Sequence, residues 1–161
     1  GELWLPVHGV MPLSRAQAGL DAVDAILAGH RAEMERLGIR VSMLTALCGR
    51  AMIVEPQFFW RDALTPFHLR HVTAQQRQAH ADQKANPEAR ALVHRLRRVL
   101  AEALDAAGGT HFQLGRYYGF LPGLTSGAAD ALTAIKRLID PSSIMNPGAL
   151  GLARGPDSPS T

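Results

Sequence analysis

Residues 110–120 of this 161-residue chain carry more side chains capable of chemistry than any other stretch. The segment reads THFQLGRYYGF, and its Arg116 and Tyr117 suit contact with a substrate. A guanidinium can hold a carboxylate by two parallel hydrogen bonds, and a phenol hydroxyl can orient a substrate oxygen. An ordinary ion pair is the alternative role for Arg116. The composition predicts a strand, in which His111, Gln113 and Tyr117 share one face while Arg116 points the other way.

Isolated polar residues interrupt two other apolar segments. His8 lies in ELWLPVHGV, where a packed core histidine is the usual role and a functional contact is the alternative. Glu55 lies in AMIVEPQFFW, and because an unpaired buried carboxylate is costly, it either faces water or has a partner. His68 and His71 are three residues apart, but without a third fixed ligand this spacing does not predict a metal site.

The elements that must position these residues follow one another in a regular order. Alternation and β-branched residues predict strands, and apolar stripes with capping residues predict helices. The expected strands are residues 2–10, 39–47, 51–60 and 110–120, and the expected helices cover residues 14–38, 86–108 and 127–140, with a surface loop at 61–85. This order predicts an α+β, ferredoxin-like antiparallel sheet with helices on one face plus a C-terminal exit helix.

Composition excludes several classes of protein. The net charge is +3, but 15 of the 17 basic residues are arginines scattered along the chain, which does not predict nucleic-acid binding. No apolar stretch reaches the roughly 18 residues of a membrane span. The single Cys48 excludes an internal disulfide and fits a reducing compartment, so the localisation stays open with the cytoplasm favoured.

The most distinctive stretch is AIKRLIDPSSIMNPGALG at residues 134–151. A helix must end at Asp140-Pro141, because proline cannot continue it, and Asn146-Pro147-Gly148 forms a second sharp turn. This run resembles the C-terminal signature of the FAD-linked oxidases, the superfamily of vanillyl-alcohol oxidase, para-cresol methylhydroxylase and the glycolate oxidase D subunit. The likeness of element order extends over nearly the whole chain. A structural corner that merely ends a domain is the alternative.

The resemblance implies a division of the chain and a function. Residues 1–124 would be part of the cap, or substrate, domain of an FAD-linked oxidase. Residues 125–152 would be the helix and the Asn-Pro-Gly segment that return to the flavin domain, and residues 153–161 a flexible tail. The implied function is oxidation of a small hydroxy acid or related alcohol by hydride transfer to flavin. The partners would be a small-molecule substrate and a missing N-terminal FAD-binding domain, with a homodimer or an electron-acceptor protein as further candidates.

The resemblance also implies site residues. The catalytic residues would be Arg116, Tyr117 and His111; the substrate-binding residues would be Gln113, Glu55 and His8; and the residues in contact with FAD would be Asn146, Pro147 and Gly148.

The chain departs from two branches of that family. It lacks the histidine-rich motifs of the metal-assisted branch, reading LCGRAMIVEP and QLGR instead, so no metal is expected. The phenol-oxidising branch has a Tyr-Arg pair where this chain has Phe112-Gln113, and Ala149 replaces a basic residue that is common after the Asn-Pro-Gly turn. A phenol-oxidising flavoenzyme and a stand-alone α+β interaction module without catalysis remain the alternatives.

Overall fold

The computed structural model describes residues 2–113 and 115–152. Over these residues the protein is α+β, with a four-stranded antiparallel sheet and six α-helices in a ferredoxin-like arrangement. The strands are β1 (Leu3–Pro6), β2 (Gly9–Pro12), β3 (Arg40–Cys48) and β4 (Ala51–Trp60). The helices are α1 (Leu13–Gly29), α2 (Arg31–Arg36), α3 (Pro66–His71), α4 (Ala74–Ala79), α5 (Pro87–Ala106) and α6 (Ser126–Ile139).

Strand β4 is the centre of the sheet. It pairs with β3 along one edge and with both β1 and β2 along the other, in one continuous register. The expected strand at residues 2–10 is therefore two strands, separated at Val7 and His8. Val7 N donates to Pro56 O at 3.1 Å, but Pro56 has no N–H to return the second bond of the pair. The central proline thus explains the interruption.

The apolar core lies between one face of the sheet and helices α1 and α5, which pack on each other and on the strands. The β4 residues Val54 and Phe58 are fully buried on this face. Helix α5 contributes one stripe with a four-residue repeat, which is the spacing that aligns side chains along a helix. Its fully buried members include Leu92, Leu96, Leu100 and Leu104.

The prediction of a strand at residues 110–120 is wrong. Of the residues described in this stretch, 110–113 and 115–120, only Thr110 forms a bridge, with Val10, through bonds of 2.7 and 3.0 Å. Val7 directs its N–H toward β4, whereas Val10 directs its N–H away from β4, toward Thr110. Because every second residue of a strand directs its backbone groups to the same side, position 6 also points away from β4. Pro6 has no N–H with which to bond a further strand there. Gly115 and Gly119 further weaken any strand that would continue along this edge.

The segment at residues 61–85 is not a plain loop, since it contains α3 and α4. Each helix begins after a threonine, Thr65 or Thr73, in a capping box. In the first box the Thr65 amide donates to His68 Nδ1 at 3.1 Å, so this histidine has a structural role.

Asp62 anchors this segment to the fold. The carboxylate is fully buried and receives two 2.8 Å bonds from Arg90, and its Oδ1 also accepts from the Asn86 and Ala63 amides. Burial alone would raise the pKa of Asp62, but the hydrogen bonds from Arg90, the Asn86 amide and the Trp60 indole hold that pKa below its ordinary value. Asp62 therefore joins the end of β4 to the beginning of α5.

The chain divides into two compact units, Gly1–Thr110 and His111–Thr161. The first contains the sheet and α1 to α5, and the second contains α6. The functional division expected at residues 124 and 125 stays a prediction, and the tail expected at residues 153–161 lies outside the described residues. None of the helices described here is long and apolar enough to cross a membrane.

Candidate functional site

In the first unit, the candidate residues lie on the sheet face that points away from the helices. Strands β1 and β2 pair with β4 in one continuous register, and in this register His8 lies opposite Glu55. The neighbouring Gly9 faces α5, where a Cβ would lie 3.1 Å from Leu104 Cβ. Since successive residues of a strand alternate between faces, His8 and Glu55 both lie on the opposite face.

The carboxylate of Glu55 is held by a neighbour on the same face. Glu55 is only 8 % exposed, and its Oε1 accepts a 2.7 Å hydrogen bond from Gln57 Nε2. This bond satisfies one carboxylate oxygen, and the arrangement answers the question that the sequence left open: Glu55 has a partner. A carboxylate held in this way can accept a hydrogen bond from a hydroxyl group.

An aromatic row lies beside these polar groups. Trp4, Phe59 and Arg40 are direct neighbours across β1, β4 and β3, so they share the face with Glu55. The Arg40 guanidinium lies 5.7 Å from the centre of the Phe59 ring and forms an ion pair with Glu2. Arg40 holds the pKa of Glu2 below its ordinary value, chiefly through their hydrogen bond. The row therefore presents apolar ring surface to a ligand, whereas the charge of Arg40 is already paired with Glu2.

In the second unit, residues 111–113 and 115–120 lie in an irregular loop with an aromatic cluster. His111 stacks on Tyr118, with ring centres 4.1 Å apart, and Tyr117 meets the same Tyr118 ring edge-on at 4.8 Å. Tyr118 is buried, whereas Tyr117 is exposed. The expected alternation of faces does not apply, because the segment is not a strand. The predicted conflict between Arg116 and Tyr117 is thereby removed.

Arg116 and Gln113 are both exposed in this loop. Within the part of the chain that the structure describes, Arg116 forms no ion pair. The alternative role suggested by the sequence, an ordinary ion pair, is therefore not observed there. A guanidinium in this state is available to a carboxylate ligand.

Leu150 connects this loop to the Asn-Pro-Gly turn. Its amide donates to Gly115 O at 2.8 Å, and its carbonyl accepts from the Phe120 amide at 3.2 Å, so both ends of the Arg116 loop are bonded to one residue. Leu150 has a φ of +61°, a conformation that is costly for a residue with a branched side chain. The turn itself has φ values of +45° at Asn146 and +76° at Gly148.

The segment before the turn is fixed by a second buried carboxylate. Asp140 accepts 3.0 Å hydrogen bonds from the Ile144 and Met145 amides and forms an ion pair with Lys136. Lys136 Nζ also donates to Met145 O at 2.6 Å. The Lys136 hydrogen bond is the main reason that the pKa of Asp140 lies below its ordinary value, and the two amides lower it further. The side chains of Ile144 and Met145 remain exposed.

The residues expected to contact FAD can supply only part of a cofactor site. Asn146 is exposed, and the rigid turn can present its amide side chain to a polar edge of a ligand. Such a turn fits one-sided contact with a flavin rather than enclosure. Across residues 2–113 and 115–152, no group of three or more His, Cys, Asp or Glu side chains could hold a metal ion.

The structure thus separates the predicted site residues into two sets. His8 and Glu55 belong to the first unit, and His111, Gln113, Arg116 and Tyr117 belong to the second together with the turn at 146–148. Sequence reasoning missed Gln57, Tyr118 and Leu150. Gln57 follows Glu55 by two residues, so strand alternation could have identified it. Tyr118 and Leu150 carry no such signal, because their positions depend on an irregular loop.

Comparison of this chain with protein-family models, with curated proteins and with solved structures finds no match.

Proposed function

We propose that this chain is the substrate-domain portion of an FAD-dependent oxidoreductase that oxidises a small hydroxy acid or a related alcohol. The observation that carries the proposal is the double hydrogen bond of Leu150 to the loop that bears Arg116 and Tyr117. It ties the side chains suited to a substrate to the turn at Asn146–Gly148 within one compact unit. The resemblance of residues 134–151 to the FAD-linked oxidases supplies the reaction class.

Different side chains would contact different groups of the substrate. Arg116 would hold the substrate carboxylate, and the Tyr117 hydroxyl would orient the oxygen of the reacting carbon. His111, stacked against Tyr118, has ring nitrogens that can donate or accept a hydrogen bond. A bound flavin would supply the hydride acceptor, and it would be held mainly by a domain outside this chain.

The residues of the sheet face would act on polar groups of the same class of substrate. Glu55, held by Gln57, can accept a hydrogen bond from a hydroxyl, and His8 lies beside it in the register. Gln113 is an exposed amide that can donate or accept. A phenolic alcohol is the second substrate class, which the aromatic groups around Tyr118 support.

An exposed apolar region supports the existence of a partner domain. The α6 residues Ile135, Leu138 and Ile139 form a stripe at helical spacing, and all three are exposed, as are Ile144 and Met145. Large exposed apolar patches mark interaction sites. A flavin-binding domain would cover this region. The same exposure also favours a stand-alone interaction module, in which the partner is another protein and no reaction occurs.

The first experiment is to purify the product of the complete gene and record its visible absorption spectrum. Flavin bands support the oxidoreductase, and a colourless product that takes up no added FAD overturns it. In a yellow protein, Arg116→Ala should raise the KM for a hydroxy acid about 10- to 100-fold, the range expected for lost charge-assisted hydrogen bonds. The KM for an alcohol without a carboxylate should change little.

Arg98→Ala is the matched control, because Arg98 is an exposed arginine of the first unit. It removes the same charge and should leave both KM values unchanged. Equal effects of Arg116→Ala on acidic and neutral substrates would contradict the role proposed for this guanidinium.

A further inference from the structure

Strand β3 leaves one complete edge of the sheet unpaired. Its nine residues pair with β4 in an unbroken register, and no other described segment pairs with it. Val7 bonds to Pro56, so the even-numbered residues of β4 direct their backbone groups to β1 and β2, and the odd-numbered residues direct theirs to β3. The β3 residues opposite even-numbered partners must then direct their N–H and C=O groups outward. These residues are Val41, Met43, Thr45 and Leu47.

The edge lacks the features that normally prevent association of strands. Between Val41 and Cys48 the sequence VSMLTALC contains no lysine, no carboxylate and no proline, and the ladder contains no bulge. Leu44 is exposed, and Leu47 is 74 % exposed. A long and largely apolar edge without a bulge is a template for another strand.

A groove of about 810 Å³ runs beside the same edge, on the face of the helices. Val41 and Met43 of β3 line it together with Leu27, Met34 and Ile39. Its rim carries charges of both signs, from Asp24 and Glu35 and from Arg31 and Arg40. A surface with both signs of charge can meet its own copy without net repulsion.

We infer that β3 pairs antiparallel with β3 of a second copy of this chain, which makes one continuous sheet across a two-fold axis at Leu44. In this register Val41 is opposite Leu47, and Met43 is opposite Thr45. All four outward-facing residues of each strand then exchange backbone hydrogen bonds, because each pair joins two outward-facing residues. The two Leu44 side chains meet at the axis, where opposed residues approach most closely.

The same register gives Leu47, the most exposed large apolar side chain of β3, a place to bind. Leu47 lies on the helix face and is opposite Val41 of the second copy, and Val41 lines the groove. Each Leu47 therefore enters the groove of the other copy. Only this symmetric register pairs all four outward-facing residues, and Arg40 lies opposite the uncharged Cys48. The self-complementarity of strand and groove is what identifies the occupant as a second copy.

The register can be measured with the native cysteine. Cys48 is exposed and is the chain's single cysteine, so one spin label per copy can be attached without mutation. In the proposed dimer the two Cys48 positions are eight residues apart along the strands, which gives about 27 Å between Cα atoms at about 3.4 Å per residue. A shift of the axis to position 43 or 45 gives about 34 or 20 Å. We expect an electron-resonance distance distribution centred near 27 Å, after correction for the label.

Two substitutions test the interface by sedimentation equilibrium. Thr45→Pro removes only an outward-directed N–H, which an edge strand tolerates, so the monomer should stay folded by circular dichroism while the dimer is lost. Leu47→Lys places a charge against the apolar groove and should weaken the dimer at least tenfold. The control Leu13→Lys changes an exposed residue directly after β2, which lies on the other side of β4 from β3, and it should leave the dimer intact.

Three results would overturn the inference. The first is a wild-type chain that stays monomeric up to about 100 µM, a concentration at which even a weak association would be detected. In that case the partner of the β3 edge would be a strand of another protein. The second is a dimer that survives both β3 substitutions, and the third is a distance distribution without a component near 27 Å. The spin-label measurement uses the wild-type chain, so it decides the question even if Thr45→Pro fails to fold.

Discussion

Asp62 and Asp140 are buried carboxylates that fix a loop in each of the two units, and they do so in different ways. Asp62 bonds residues 24 and 28 positions away, in Asn86 and Arg90, so it joins elements that are distant in sequence. Among the described residues, Asp140 bonds only those within five positions, from Lys136 to Met145. The first carboxylate belongs to the tertiary structure, whereas the second shapes one local loop.

The two units that surround these carboxylates also differ in how many apolar residues they bury. The first unit has a contiguous core in which α5 buries seven residues, whereas α6, all of which is described, buries none. Few apolar contacts and local hydrogen bonds characterise regions that open independently of the rest of a protein. Loss of Asp62 should therefore affect global unfolding, and loss of Asp140 should affect local opening.

Asp62→Ala should produce the largest effect. Removal of one partner of a buried ion pair leaves the other charge without compensation and typically costs about 3–5 kcal/mol. Because the Arg90 side chain is 38 % exposed and can be hydrated, we expect the lower end, about 3 kcal/mol. The free energy of unfolding of the first unit, measured by urea denaturation, should fall by this amount.

Asp82→Ala is the control for this substitution, since Asp82 is exposed in the same segment of the chain. Surface substitutions of this kind usually change stability by less than about 0.5 kcal/mol. If Asp62→Ala were no more destabilising than Asp82→Ala, the anchoring role of Asp62 would be wrong.

Asp140→Ala should have a smaller and more local effect. It removes the acceptor of the Ile144 and Met145 amides, so these amides should exchange with solvent roughly tenfold faster or more, while the β4 amides keep their protection. Hydrogen exchange followed by mass spectrometry or NMR measures both. Asp130→Ala, at an exposed position of α6, is the matched control. Equal acceleration in β4 would contradict the local role.

Much of the first unit could be predicted from the sequence, because its signals are periodic and local. The repeat of leucines in α5, the Asn86-Pro87 helix start and the two-residue hairpin at Gly49-Arg50 each depend on residues that are close in the chain. The Glu55–Gln57 contact also follows from alternation along β4. The Asp62–Arg90 pair does not, since nothing in the sequence connects an aspartate to an arginine 28 residues later.

The candidate residues of the second unit show where such reasoning fails. Residues 110–120 have a strand-like composition, but the missing N–H of Pro6 and the two glycines leave only the Thr110 bridge. The stacking of His111 on Tyr118 depends on loop geometry. Likewise, the left-handed conformation of Leu150 is one that local preference disfavours, so its hydrogen bonds to the Arg116 loop are visible only in the folded protein.

Acidification should produce the smallest effect, because a protonated carboxyl group keeps its size and its acceptor oxygens. The pKa values of Asp62 and Asp140 both lie below the ordinary value, so the unfolded chain binds protons first as the pH falls. The stabilisation is complete above about pH 4, near the pKa of an unfolded aspartate, and it is lost as the pH falls through the folded values. The Tm measured between pH 7 and pH 3 should therefore drop below pH 4, and it should drop less steeply in Asp62→Asn, which cannot titrate at this position. Two results would show that the Asp62 carboxylate contributes no net stabilisation through its charge: a wild-type Tm that rises between pH 7 and pH 3, or the same dependence of Tm on pH in Asp62→Asn. The contrast between the two aspartates would then rest on geometry alone.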